Sequence, residues 1–264
     1  MRKIFIYMSL CLVVLFTSCQ KVIKLKVHDS DPIIVIEALY NANKEEVFVK
    51  ISKSINVFDE PQFPSITGAV VEIFDENGVS STLADQGDGT YLLSNYVPVF
   101  NSVYKMRVQI QGEEYTSSDR LMPVVPLDSI VADFEPFTPM GEGYVTFLSF
   151  MDPVGPNYYR AIRTVNDTLK DKVGDLHLFD DGWTDGNQQK APMIFELFKI
   201  GDSVSVDLIS YSEKSFKYYL GLSATAGGST SSPAPANPPK DWTKGALGHF
   251  TAFGYDTKKK IIGE

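Results

Sequence analysis

The sequence predicts a mainly β chain arranged as two antiparallel β-sandwich-like domains, with one short helix in the second. Three observations predict it. Apolar and polar residues alternate with a period of two through most of the chain, turn residues recur about every ten positions, and a single segment carries a helical period instead. With 264 residues, 44% of them apolar and 12% aromatic, the chain has the composition of a folded globular protein and not of a disordered or fibrous one.

The first domain spans 32–122 and opens after Pro32 with the β-branched run Ile33-Ile34-Val35-Ile36. Val47, Val49 and Ile51 then alternate with Phe48, Lys50 and Ser52, as a half-buried strand does. A loop around Pro61 and Pro64 precedes Ala69-Val70-Val71-Glu72-Ile73-Phe74, and Asp75-Glu76-Asn77-Gly78 closes that strand with an Asn-Gly hairpin signal. Gly87-Asp88-Gly89 turns the chain into Thr90-Tyr91-Leu92-Leu93. Tyr104, Met106, Val108 and Ile110 alternate with Lys105, Arg107 and Gln109, and Gly112 leads into Tyr115-Thr116. About seven short strands of this kind make an Ig-like sandwich. Gly68-Ala69-Val70-Val71-Glu72-Ile73, Asn77-Gly78 and Asp88-Gly89-Thr90-Tyr91 resemble the carboxypeptidase-regulatory-like and transthyretin-like modules, which implies a scaffold.

Met122-Pro123-Val124-Val125-Pro126 is a stiff connector, because each proline fixes its own φ and extends its predecessor. The domain boundary is expected there, with the second domain at 127–257. Ile130, Ala132 and Phe134 alternate, Tyr144 to Met151 is a rich strand, and Asp152-Pro153-Val154-Gly155-Pro156-Asn157 forms a tight turn before Tyr158-Tyr159-Arg160-Ala161-Ile162. Met193–Leu197 and Val204–Ile209 continue the strands. Ser212 is placed to cap a helix over 213–224 with Phe216, Tyr219, Leu220 and Ser223 on one face. Gly227 to Pro239 is a polar, Pro-rich loop, Ala246 to Tyr255 alternates as a last strand, and Lys258-Lys259-Lys260 reads as a solvated tail.

Residues 1–18 carry an export signal: Met1-Arg2-Lys3 is basic, and Ile4 to Phe16 is a nearly continuous apolar run. That run falls short of the roughly 20 residues that a membrane helix needs. Leu15-Phe16-Thr17-Ser18-Cys19 resembles the lipobox of bacterial lipoproteins, which implies cleavage before Cys19, a thioether-linked diacylglycerol on its sulfur and an acyl chain such as palmitate on its freed amine. At about 0.8 kcal/mol per buried CH₂, several chains hold a protein stably where one does not. Residues 19–31 become the tether, with the outer-membrane bilayer as the partner of Cys19. Cys11 lies inside the leader, so the mature chain has no disulfide.

Little marks catalysis. The three histidines, His28, His177 and His249, have no metal-ligand spacing, and no G-x-S-x-G, P-loop or G-x-G-x-x-G occurs. The expectation is a protein without enzymatic activity or cofactor. A triad is geometric, however, so a hydrolase assembled from distant residues requires a cleft that gathers a Ser, a His and a carboxylate. The acidic loop with Asp180, Asp181 and Asp185 offers oxygens to Ca²⁺ but lacks the EF-hand spacing, and the competing reading is a hairpin tip. Trp183 and Trp242 are candidate ligand-binding residues if exposed, for a sugar or a partner, and core if buried. A net charge of −9 makes nucleic acid a poor partner.

Asp128-Ser129-Ile130, Asp167-Thr168-Leu169 and Asp202-Ser203-Val204 resemble the O-glycosylation acceptors of Bacteroidota envelope proteins, which implies modification at Ser129, Thr168 or Ser203; an Asp turn before a β-branched strand gives the same tripeptide. Cys19-Gln20-Lys21-Val22-Ile23, Ile34-Val35-Ile36-Glu37, Gly68-Ala69-Val70-Val71, Asp152-Pro153 with Asn157-Tyr158-Tyr159-Arg160, and Gly245-Ala246-Leu247-Gly248-His249-Phe250 together resemble the Bacteroidota outer-membrane lipoprotein family described as domain of unknown function DUF4249. The resemblance implies a lipid-anchored outer-membrane protein acting as an accessory to a TonB-dependent receptor. Gln20 and Lys21 stand where surface-exported lipoproteins often carry acidic residues, leaving the membrane face open. The alternative function is a carbohydrate-binding module or adhesin-like lipoprotein.

Overall fold

Strand β1 (Ile34–Asn41) pairs antiparallel with β2 (Glu46–Lys53) and, on its other side, parallel with the last strand of the chain. The computed structural model describes residues 31–55, 62–182, 184–226 and 237–263. The leader, Cys19, Trp183 and most of the 227–239 loop lie outside them. No helix among the described residues is long and apolar enough to cross a membrane.

In the first half, β3 (Val70–Phe74), β4 (Ser80–Thr82), β7 (Val103–Ile110) and β8 (Glu113–Arg120) form a four-stranded sheet, while β5 (Ala84–Asp85) and β6 (Thr90–Ser94) extend the sheet of β1 and β2. Period-two alternation turns one face of each sheet inward. Ile36, Ala38, Tyr40, Val47, Val49 and Ile51 thus meet Val71, Ile73, Tyr104, Met106 and Val108 in one fully buried core. At side-chain burial worth about 1.5–3 kcal/mol each, this layer supplies the main drive for the first sandwich.

The second half repeats the plan. Strands β9 (Ser129–Thr138), β10 (Gly141–Met151) and β14 (Gln188–Phe198) form a three-stranded sheet. Facing it are β11 (Tyr158–Val165) and β15 (Ser203–Tyr211), with the short strands β12 (Thr168–Lys170) and β13 (His177–Asp180) along β11. Ile130, Leu148, Phe150 and Met193 pack with Tyr159, Ala161, Val206 and Leu208 in a second core.

The 122–126 segment, predicted as a boundary, divides neither the cores nor the sheets cleanly, since Trp242 and Ala246, far beyond it, pack in the first core. Strand β16 (Phe250–Ile261) pairs with β1 through Phe250–Phe253 and with β15 through Gly254–Ile261, so one nine-stranded sheet runs through both halves. Phe250 and Ala252 belong to the first core and Ile262 to the second. Residues from Pro32 onward accordingly form one compact unit. Lys258, Lys259 and Lys260, expected as a tail, pair with Val206, Ser205 and Val204, because a ladder is built from backbone groups and long cationic side chains can carry their charge to the surface from within a strand. The fold is otherwise as predicted, mainly β and antiparallel apart from the β1–β16 pair.

The helix α1 (Glu213–Ala226) starts at Ser212, whose hydroxyl accepts the Ser215 N–H at 3.1 Å. Phe216 is buried, whereas Leu220 is exposed.

Candidate functional site

Two adjoining clefts of about 400 and 500 Å³ share Met122, Pro156 and Tyr158. Both volumes fall in the range of small-ligand sites. The floor is apolar, with Val124, Pro126, Met151 and Val154 along the first cleft. Arg120, Glu213 and Lys214 line the second. Each cleft borders a polar constellation assembled from residues far apart in sequence, through Asn157 and Tyr159 in the first and Asp119, Ser212 and Lys214 in the second.

The first constellation holds the 152–157 turn. One carboxylate oxygen each of Asp152, Asp181 and Asp185 lies within 4.8 Å of the others. Asp180, expected to join Asp181 and Asp185, does not: it is exposed and caps the Gly182 N–H at 3.2 Å, and Asp152 from the opposite turn takes its place. The buried Tyr159 hydroxyl donates to Asp152 Oδ1, and Gly186 N donates to Asp152 Oδ2 at 3.1 Å. Asn157 N donates to Asp181 at 2.9 Å, and Gly155 N to Asp185 at 2.7 Å. Burial first, then the neighbouring carboxylates, push Asp152 up, against the pull of Tyr159 and Gly186. At an effective dielectric of about 20, two unit charges about 4 Å apart repel by roughly 4 kcal/mol, so these donors hold the cluster together. Giving one oxygen each, the three carboxylates supply half or less of the oxygens that Ca²⁺ takes. As it stands, the arrangement ties two turns.

The second constellation gathers a serine, a histidine and two aspartates. Ser215 Oγ lies 2.9 Å from His249 Nε2, and His249 Nδ1 lies 2.8 Å from Asp241 Oδ2. The spacing is that of a Ser-His-Asp triad, but the surroundings oppose one. Ser215 is 0% exposed and lines neither cleft. Its hydroxyl donates to Asp119 Oδ2 at 2.7 Å, so the proton that an activated nucleophile would direct at His249 is engaged by a carboxylate instead. Asp119 also accepts from the Ser212 hydroxyl and, at 2.9 Å, from Ala252 N. Burial pushes Asp119 up, and those hydrogen bonds and His249 oppose the shift. Burial also acts to raise Asp241, but His249 beside it, Lys214 and the Phe250 N–H outweigh this and hold it down at about 2. Ser117 donates to Asp241 at 2.7 Å, and Tyr218 stacks on His249 with ring centroids 4.3 Å apart. The network joins β8, α1 and β16.

Trp242, a candidate ligand-binding residue, is core: it is 3% exposed and its indole N–H donates to Ile36 O at 2.9 Å. Ser129 and Thr168 are exposed at the starts of β9 and β12. Ser203 is half-buried, and its N–H donates to Asn166 Oδ1 at 2.9 Å. Cys19 and Trp183 are outside the described residues. Sequence reasoning missed Asp119 and Ser117. Their signal is the period of β8, which turns both inward.

His177 on β13 is buried, and burial, then Arg163, push it down to about 4. The unfolded chain, with this group near 6.5, therefore binds the proton first. Its contribution is intact above pH 6.5 and declines as pH falls toward 4, by about 3 kcal/mol in all. Urea denaturation at pH 7.5 and pH 4.5 will show most of this loss removed in His177→Gln; an unchanged pH dependence would refute the assignment.

A family model described as "Domain of unknown function (DUF4249)" matches residues 20–259. No curated protein matches the sequence. Among solved structures, the FN1-FN3 domains of chicken CNTN1 are similar at 11% identity and a TM-score of 0.26, over 70% of this chain and 64% of that one. This chain thus spans just under two thirds of that structure. The chicken interferon gamma receptor alpha chain is similar at 9% identity and a TM-score of 0.19, over 69% of this chain and 89% of that one.

Proposed function

Because the chain belongs to the DUF4249 family, we propose that it is a non-enzymatic binding protein of the Bacteroidota outer membrane, anchored by acylation of Cys19 and accessory to a TonB-dependent receptor. The carrying observation is the state of Ser215. Ser215 of the triad-like group is fully buried and its hydroxyl is committed to Asp119, while His249 is reached through a small cleft of about 250 Å³ beside Tyr218 and Leu222. The pair of clefts opens to solvent, and the two hydrogen-bonded constellations beside them hold the 153–159 turn and the Asp119–Ser212 edge in place before a ligand arrives. Preformed walls lower the ordering cost of binding. The leader and Cys19 supply the address, on either face of the membrane.

A photo-crosslinking residue at Arg120, on the rim of the second cleft, tests this in native envelopes. The expected adduct is an outer-membrane β-barrel receptor. Adducts to the lipoprotein alone would count against the accessory role, and serine-dependent ester hydrolysis abolished by Ser215→Ala would count against the non-enzymatic one.

A further inference from the structure

The hairpin joining β9 to β10 ends in Pro136-Phe137-Thr138-Pro139-Met140-Gly141, an uncharged tip bracketed by Glu135 and Glu142. Phe137 is 93% exposed, and Phe134 and Met140 are each exposed over half their surface. We propose that this tip inserts into the interfacial layer of a zwitterionic lipid surface, as a membrane contact separate from Cys19. It rests on the envelope reading only in requiring a membrane nearby.

Three observations carry it. First, an element that enters a low-dielectric layer gains from satisfying its own backbone groups, and Thr138 satisfies two of them within the tip. The Thr138 hydroxyl donates to Gly141 O at 2.7 Å and accepts from Met140 N at 3.1 Å, while Pro136 and Pro139 have no N–H to satisfy. Second, the register shifts between Gly141 and Gly143, so Pro136 and Phe137 form a bulge that aims the phenyl ring outward. Phe134 is braced edge-on by Tyr144 at 5.3 Å, which keeps the base of the tip stiff. Third, the apolar surface continues beneath the tip into a groove of about 500 Å³ that Val145 and Phe147 help to line. The bracketing glutamates and the net charge of −9 oppose anionic headgroups, which selects a zwitterionic surface.

The test uses the full chain carrying Phe137→Trp, compared with Ile200→Trp, another exposed apolar position, and with the wild type as background. Each is mixed with phosphatidylcholine vesicles brominated in the acyl chains, and flotation is scored in the same samples. The expected result is flotation of both, with a blue shift and loss of emission for the tryptophan at 137 alone. The quenching should weaken when phosphatidylglycerol is added and vanish on Met140→Asp. Flotation without quenching at 137, whether the tip lies in water or under another protein, overturns the proposal and leaves the Cys19 anchor standing. Failure to float overturns both. Quenching at 137 in protein whose Cys19 is unacylated upholds the tip and removes the anchor.

Discussion

Asp119→Ala will lower the unfolding free energy by about 3–5 kcal/mol and Tm by roughly 10 °C for a chain of this size. Alanine strands the Ser212 and Ser215 hydroxyls and the Ala252 N–H, all directed at this carboxylate inside the protein. The damage spreads because the three donors belong to the helix cap, the first turn of α1 and β16. Asp119→Asn separates shape from charge. It keeps one acceptor and removes a buried charge that burial disfavours, so its loss should be smaller, about 1–2 kcal/mol. Urea titrations followed by tryptophan fluorescence give both numbers. An alanine variant within about 1 kcal/mol of wild type would mean that the network is dispensable.

Gly248→Ala is expected to cost more than about 4 kcal/mol, the range reserved for disrupted cores and strained backbone. Gly248 has φ +93°, where a side chain is strained, and a Cβ there would sit 2.1 Å from Ile36 O and 2.7 Å from Ile36 C. Neither atom can move cheaply. Ile36 N donates to Leu247 O at 2.8 Å, Leu247 N to Ile34 O at 2.8 Å, and Trp242 Nε1 to Ile36 O. The segment before β16 would therefore lift away from β1, the seam that joins the two cores. Gly78→Ala is the control: its φ is +80° but the space around it is open, so only the backbone term of about 1–2 kcal/mol remains. Near-UV circular dichroism of the two variants should show native signal for Gly78→Ala and loss of it for Gly248→Ala. Equal stabilities would contradict the packing at Ile36.

The individual strands were legible because a half-buried strand writes its inward face into alternate residues. Val47, Val49 and Ile51 are buried as their spacing requires, and the helix begins at the Ser212 cap. Alternation names the face a residue occupies and says nothing of which strand lies beside it. The parallel pairing of Ala38 with Phe250 joins distant segments of the chain, and so the shared sheet was hidden and the connector at 122–126 looked like a full domain boundary. The same limit governs the site. Ser215, His249, Asp241 and Asp119 carry no common spacing, since tertiary pairing alone brings them together. In the acidic loop the error was local: Asp180 and Asp181 are neighbours with opposite fates, one capping outward and the other meeting Asp152 across the turn.

Intact mass and peptide mapping of the protein purified from its native envelope test the lipid-anchored reading most directly. A first residue of Cys19 bearing diacylglycerol on sulfur and an acyl chain on its amine is the predicted result. A free amine at that cysteine, or a chain that still starts at Met1, would contradict it.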